Sequence, residues 1–91
     1  MKIADCVMKS MIRKQGFKCD ASWKTKVEGN KVRVQHYNTD LLDINISTRA
    51  VKRAVGFESQ SDKVAVGKIL REIGVAKKDV QEIKADRGHR F

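Results

Sequence analysis

The chain reads as a small single-domain α+β protein. The expected order is a helix, a three-stranded antiparallel meander, two helices in a helix-turn-helix-like arrangement, and a C-terminal β-wing. Three observations lead there. Apolar residues recur at helical spacing over residues 2–15, 48–55 and 59–74. Between the first two of these stretches the period changes to two, as in half-buried strands. Turn residues, Gly29-Asn30 and Asn38-Thr39-Asp40, separate the alternating runs. A length of 91 residues suits one domain with an adequate core, and 41% hydrophobic content excludes a disordered tail.

In the first helix Ile3, Val7, Met8, Met11 and Ile12 form the inward stripe, while Lys2, Asp5, Lys9, Arg13 and Lys14 face away. A methionine-rich stripe at this spacing reads as core. Gly16 followed by Phe17 has the form of a Schellman stop, repeated at Gly56-Phe57 and Gly74-Val75. From Phe17 to Val27, apolar and polar residues alternate, so a strand is expected over this run. Gly29-Asn30 suits a two-residue hairpin, which sets the register: Val27 faces Val32, Thr25 faces Val34 and Trp23 faces His36 on the inner side. The outer side then pairs Lys26 with Arg33, Lys24 with Gln35 and Ser22 with Tyr37. Like charges directly opposite one another destabilise a hairpin, so Lys24, Lys26 and Arg33 are candidates for contact with an anionic ligand. Long cations splaying into water account for them equally well.

Leu42, Ile44 and Ile46 alternate with Asp43 and Asn45 as a third strand. Ser47 is placed to cap a helix over 48–55, with Ala50, Val51, Ala54 and Val55 inward and Arg49, Lys52 and Arg53 outward. The next helix, 59–74, opens with Ser59 and Asp62 at capping-box spacing and closes at Gly74. Ala65, Val66, Ile69, Leu70 and Ile73 share its inner face. The opposite face carries Lys63, Val64, Gly67, Lys68 and Arg71: three cations, no carboxylate, and one residue without a side chain. A helix needing only solubility would mix its charges. Val80 to Lys84 is expected as a strand, Asp86-Arg87-Gly88 as a turn and His89-Arg90-Phe91 as a short return.

Twenty Lys and Arg against 11 Asp and Glu leave a formal charge of +9. The excess is spread through both halves, so no detachable basic arm carries it. Such a surplus on a small domain favours nucleic acid, whose phosphates release counterions on binding, although solubility alone accounts for charge equally well. Cys6, in a predicted helix, and Cys19, on the inward side of a predicted strand, read as buried free thiols, with a disulfide left open. Two cysteines and the distant His36 and His89 form no metal-ligand spacing, and no cofactor is implied. Charges interrupt every apolar run near the N-terminus, which argues against a signal peptide or membrane span and for a cytoplasmic protein, cellular or viral.

The basic helix with its preceding segment and the trailing VQEIKADRGHRF resembles a winged helix, and GKILREIGV is similar to the recognition-helix segment of winged domains ending some phage and plasmid replication primases. The resemblance covers residues 47–91. It implies DNA binding, favoured over RNA. Lys63, Gly67, Lys68 and Arg71 would enter a groove, with Arg71 or Lys68 on guanine edges and Val64 on a thymine methyl. Arg49, Lys52 and Arg53 would hold phosphates, with Arg87 and Arg90 on the wing. One feature departs from the pattern: a whole meander replaces the single short strand that winged helices usually have. Residues 2–55 also share their element order with double-stranded-RNA-binding domains. Tyr37 and Trp23 are too few, and Trp23 too inward, for a base-stacking platform.

His36, Asp40 and Asp43 are close in sequence, but an inner-face histidine beside turn carboxylates reads as structural, and no nucleophile elbow, phosphate loop or acid pair appears. The expectation is a non-enzymatic binding protein. A second class fits the same cations: a small regulator or inhibitor, phage-encoded for instance, that binds an acidic or nucleic-acid-binding surface of a larger machine.

Overall fold

The computed structural model describes residues 2–91. Helix α1 spans Ile3–Arg13 and buries Cys6, Val7, Ser10 and Met11. Ile12, expected inward, is 75% exposed. It lies roughly 140° around the helix from Val7 at 100° per residue, so the inward stripe passes through Cys6 and Ser10 instead. The helix stops at Lys14, whose φ of 53° is left-handed, and not at Gly16. Gly16 serves a close approach: a Cβ there would lie 2.8 Å from the carbonyl oxygen of Thr25.

Residues 17–22 do not extend the first strand. Oδ1 of Asp20 accepts the backbone N–H of Ser22 at 2.7 Å and of Trp23 at 2.9 Å, which breaks the run and folds it back on itself. Thr25 N donates to Phe17 O, and Phe17 N donates to Thr25 Oγ1. This return carries Cys19 under α1, where it forms a disulfide with Cys6 across 13 residues of sequence. The expectation of free thiols therefore fails, because it placed Cys19 on a strand.

Strand β1 (Trp23–Glu28) turns at Gly29, φ 57°, into β2 (Lys31–His36). The observed register is the expected one: Val27 opposite Val32, Thr25 opposite Val34, Trp23 opposite His36. Strand β3 (Thr39–Asn45) begins earlier than its alternation suggested. A bulge beside Val34 and Gln35 sets Val34 opposite Leu42 and Gln35 opposite Asp40, so Leu41 is the additional residue. Both leucines are buried.

The largest correction concerns residues 48–55. They form no helix; Val51–Val55 is strand β4, antiparallel to β3, and the meander has four strands, not three. Ser47 caps nothing. Oδ1 of Asn45 accepts the N–H groups of both Ser47 and Thr48, and Arg49 is left-handed at φ 61°, so the chain turns sharply and continues extended. A stretch this short has little helical stability of its own, and two flanking strands offer its N–H and C=O groups partners.

Helix α2 (Gln60–Ile73) has the expected limits. Ser59 and Asp62 form the reciprocal capping box, and Gly74 is left-handed, with Val75 N donating to Leu70 O. A 3-10 turn, Lys77–Asp79, leads into strand β5 (Val80–Lys84), which runs parallel to β4. The helix is thus the crossover of a β-α-β unit. The sheet order is β1-β2-β3-β4-β5. With one helix in place of two, and β5 in a sheet instead of a hairpin, neither the helix-turn-helix nor the β-wing is formed. The C-terminal residues return to β3 instead, where Asp40 N donates to His89 O and Phe91 N donates to Oδ2 of Asp40.

Both helices cover one face of the sheet. Val7 and Met11 of α1 and Val66, Ile69, Leu70 and Ile73 of α2 meet Val32, Val34, Leu42, Ile44 and Val51 in one core. Each such side chain contributes roughly 1.5–3 kcal/mol on burial. The hydroxyls beneath α1 are satisfied: Ser10 Oγ donates to Cys6 O and shares a hydrogen bond with Thr25 Oγ1.

Candidate nucleic-acid interface

Burying Val66, Ile69, Leu70 and Ile73 leaves the other side of α2 no option but solvent. Lys63, Val64, Gly67, Lys68 and Arg71 are all exposed there. Among the described residues the ion pairs are Lys26–Glu28, Arg33–Glu28 and Lys31–Asp43, and His36 is hydrogen-bonded to Asp62. None involves Lys63, Lys68 or Arg71. Glu72, also exposed, borders the face.

Strand β4 adds to this face by an unexpected route. Arg53 rises beside α2 and lines a groove of about 360 Å³ with Lys63, Gly67, Arg71, Val75 and Lys77. The groove walls hold four cations and no carboxylate. Nε of Arg53 itself is buried, without a hydrogen-bond partner. Lys77 was not singled out from sequence, although a lysine pair just past a helix end was the available signal. On the other flank of α2, Val64, Lys68 and Arg71 share a hollow of about 760 Å³ with Lys2, Ile3, Asp5 and Glu72.

The remaining expected contact residues are dispersed. Arg49 lies in the turn before β4, and its Nη1 donates to the carbonyl of Ile73 at 2.6 Å, which occupies it at the C-terminus of α2. Lys52 alternates with Arg53 and so faces away from α2, beside Lys31, Asp43 and Asp79. Lys24, Lys26 and Arg33 lie on that same outer face of the sheet. The opposition of Lys26 and Arg33 is relieved within the chain, because Glu28 Oε1 sits 3.4 Å from Lys26 Nζ and 3.1 Å from Arg33 Nη1. No ligand is needed to explain that pair. Arg87 borders a separate hollow beside His36, and Arg90 is exposed near the C-terminus. The expected cations are therefore spread over the α2 face, the outer face of the sheet, the turn before β4 and the C-terminal segment, and none of those on α2 is in an ion pair.

The histidine once weighed with Asp40 and Asp43 has a different partner. His36 Nδ1 meets Asp62 Oδ1 at 2.6 Å, across 26 residues of sequence. Asp40 is buried and accepts from Gln35 Nε2 and Phe91 N, while Asp43 lies beside Lys31. His36 also stacks on Trp23, with centroids 4.2 Å apart and planes at 9°, and contacts the ring of Tyr37 at 4.6 Å.

Among the described residues no group of three His, Cys, Asp or Glu side chains is placed to hold a metal ion, and no helix is long and apolar enough to cross a membrane. The fold and its basic helix face define a small α+β domain with an unpaired cationic surface. No family model, curated protein or solved structure matches the chain.

Proposed function

We propose that the chain binds nucleic acid, without catalysing a reaction, by laying the outward face of α2 and the adjoining groove against the phosphate backbone. The observation that carries this reading is the set of Arg53, Lys63, Arg71 and Lys77 around exposed Gly67, with no carboxylate among them. Four cations so grouped repel one another, and a polyanion removes that repulsion while releasing its own counterions. Gly67 lets a backbone approach the helix closely, since nothing lies within 4 Å of where its Cβ would be. Without a helix-turn-helix, phosphate contact takes precedence over base reading, and Lys68, Arg71 and Val64 are the side chains available for base edges.

A second reading is a regulator that docks an acidic protein. The hollow between α1 and α2 favours it, because Val64 is 47% exposed there beside Lys68 and Arg71. An anisotropy panel with duplex DNA, single strands and duplex RNA at low salt separates the two. Binding to at least one supports the nucleic-acid reading, with DNA expected to bind best. Failure of all three removes that reading and leaves the acidic protein partner.

A further inference from the structure

Tyr37 and Asn38 connect β2 to β3, and Tyr37 takes a left-handed conformation at φ 57°. Glycine, asparagine or aspartate normally fill such hairpin positions, and a bulky aromatic there is an outlier. Burial does not compensate, because Tyr37 is 69% exposed. Folding alone therefore gives no account of a tyrosine at this position. A bulky residue held in a sparsely populated conformation and left in solvent is a pointer to function.

The left-handed backbone has one clear geometric result. Neighbouring residues of an extended strand point to opposite faces, but here the rings of His36 and Tyr37 meet, with centroids 4.6 Å apart and planes at 31°. His36 is in turn stacked on Trp23, which packs against the core. Asp62 clamps His36 through Nδ1, and Asp62 is itself held by the N–H of Ser59. The result is a row of three rings in contact, stacked from Trp23 to His36, tilted from His36 to Tyr37, and exposed at Tyr37.

Cations line the two hollows that Tyr37 borders. Lys18 and Lys24 share a hollow of about 610 Å³ with Tyr37, and Arg87 shares one of about 420 Å³ with Tyr37 and His36. The carboxylates in the two hollows are committed elsewhere, Asp20 to the N–H groups of Ser22 and Trp23, Asp62 to His36 and Ser59. Two aromatics are too few for an extended platform, but His36 adds a third ring to them. We propose that Tyr37 is a stacking surface for a single unpaired nucleobase, backed by His36 and Trp23, with Lys18, Lys24 and Arg87 placed for the flanking phosphates. An aromatic face next to cations fits a base with its backbone, and a base inside a duplex has both faces covered, so the occupant is single-stranded or extruded. The proposal rests on the nucleic-acid reading and adds the strandedness of the ligand to it.

The test uses the full chain, single-stranded oligonucleotides with and without one run of abasic positions, and the variants Tyr37→Asn and Tyr37→Phe. Wild type is expected to lose about tenfold in affinity on the abasic strand. Tyr37→Asn should lose a similar factor on the ordinary strand with its salt dependence unchanged, while Tyr37→Phe retains binding. The melting midpoint of Tyr37→Asn should hold or rise, because asparagine tolerates the left-handed backbone better. Equal affinity of wild type for ordinary and abasic strands overturns the platform whatever the variants do. If duplex binding with a steep salt dependence survives in that case, the basic face of α2 stands without it. If wild type binds no nucleic acid at low salt, both ideas fall together.

Discussion

His36 Nδ1 sits 2.6 Å from Asp62 Oδ1, while Asp62 Oδ2 accepts the backbone N–H of Ser59 at 3.1 Å. One carboxylate thus closes the N-terminus of α2 and ties that helix to the end of β2. Local capping and tertiary docking depend on the same side chain. Asp62→Ala should lower the unfolding free energy by about 2–4 kcal/mol, combining the lost cap with the lost charged hydrogen bond. Urea unfolding measures it; a change under about 0.5 kcal/mol would show that His36 and Asp62 do not support each other.

Gly67 separates stability from binding. It lies inside α2, exposed, with nothing within 4 Å of an added Cβ. Gly67→Ala should therefore stabilise the fold by about 0.5–1 kcal/mol through helix propensity. Affinity for nucleic acid should fall in the same variant, because a methyl group would stand on the groove floor. A stabilised variant with unaltered affinity would place the contact elsewhere on α2.

The Cys6–Cys19 bond ties α1 to the return before β1. Closing a loop of this size restricts the unfolded chain, so reduction, or the paired change Cys6→Ala with Cys19→Ala, should cost roughly 2–4 kcal/mol. Oxidised and reduced unfolding curves compare the two directly. Coincident curves would show that the cross-link contributes no stability.

Asp20 supplies a signature of the same return. Backbone hydrogen bonds from Ser22 and then Trp23 hold its carboxyl below the ordinary 3.8. A lowered folded value means that its contribution is fully present above the unfolded value. It is lost as pH falls through the lowered one. An NMR titration should place the Asp20 midpoint below 3.8, and Asp20→Asn should remove that step. A midpoint at the ordinary value would mean that the turn before β1 is open in solution.

The parts legible from sequence were those with local punctuation. Gly29-Asn30 between alternating runs fixed the register of β1 against β2, and Ser59, Asp62 and Gly74 fixed both ends of α2. Residues 48–55 were misread because Val51, Ala54 and Val55 fit a helical stripe as well as a strand. Pairing with β3 across a short turn, and with β5 beyond α2, decided the matter. Cys19 was misplaced because alternation from Phe17 to Val27 concealed the turn that Asp20 makes. Of the candidate interface, the α2 face followed from the helical period alone. The neutralising position of Glu28, two residues from Lys26 in the same hairpin, was available locally. The approach of Arg53 from β4 and the partnership of His36 with Asp62 depend on tertiary placement, which no local pattern records.

The central claim is that the cations of α2 meet a polyanion, and the salt dependence of binding addresses it most directly. Affinity for the best-bound nucleic acid should fall with a log–log slope of about −3 to −4, as expected for four phosphate contacts. Lys63→Ala with Arg71→Ala, two of those four, should weaken binding and flatten that slope by about one to two while leaving the melting midpoint near that of wild type. An unchanged slope and affinity in a folded double variant would contradict the account, and would reduce the basic face of α2 to a solvated helix surface.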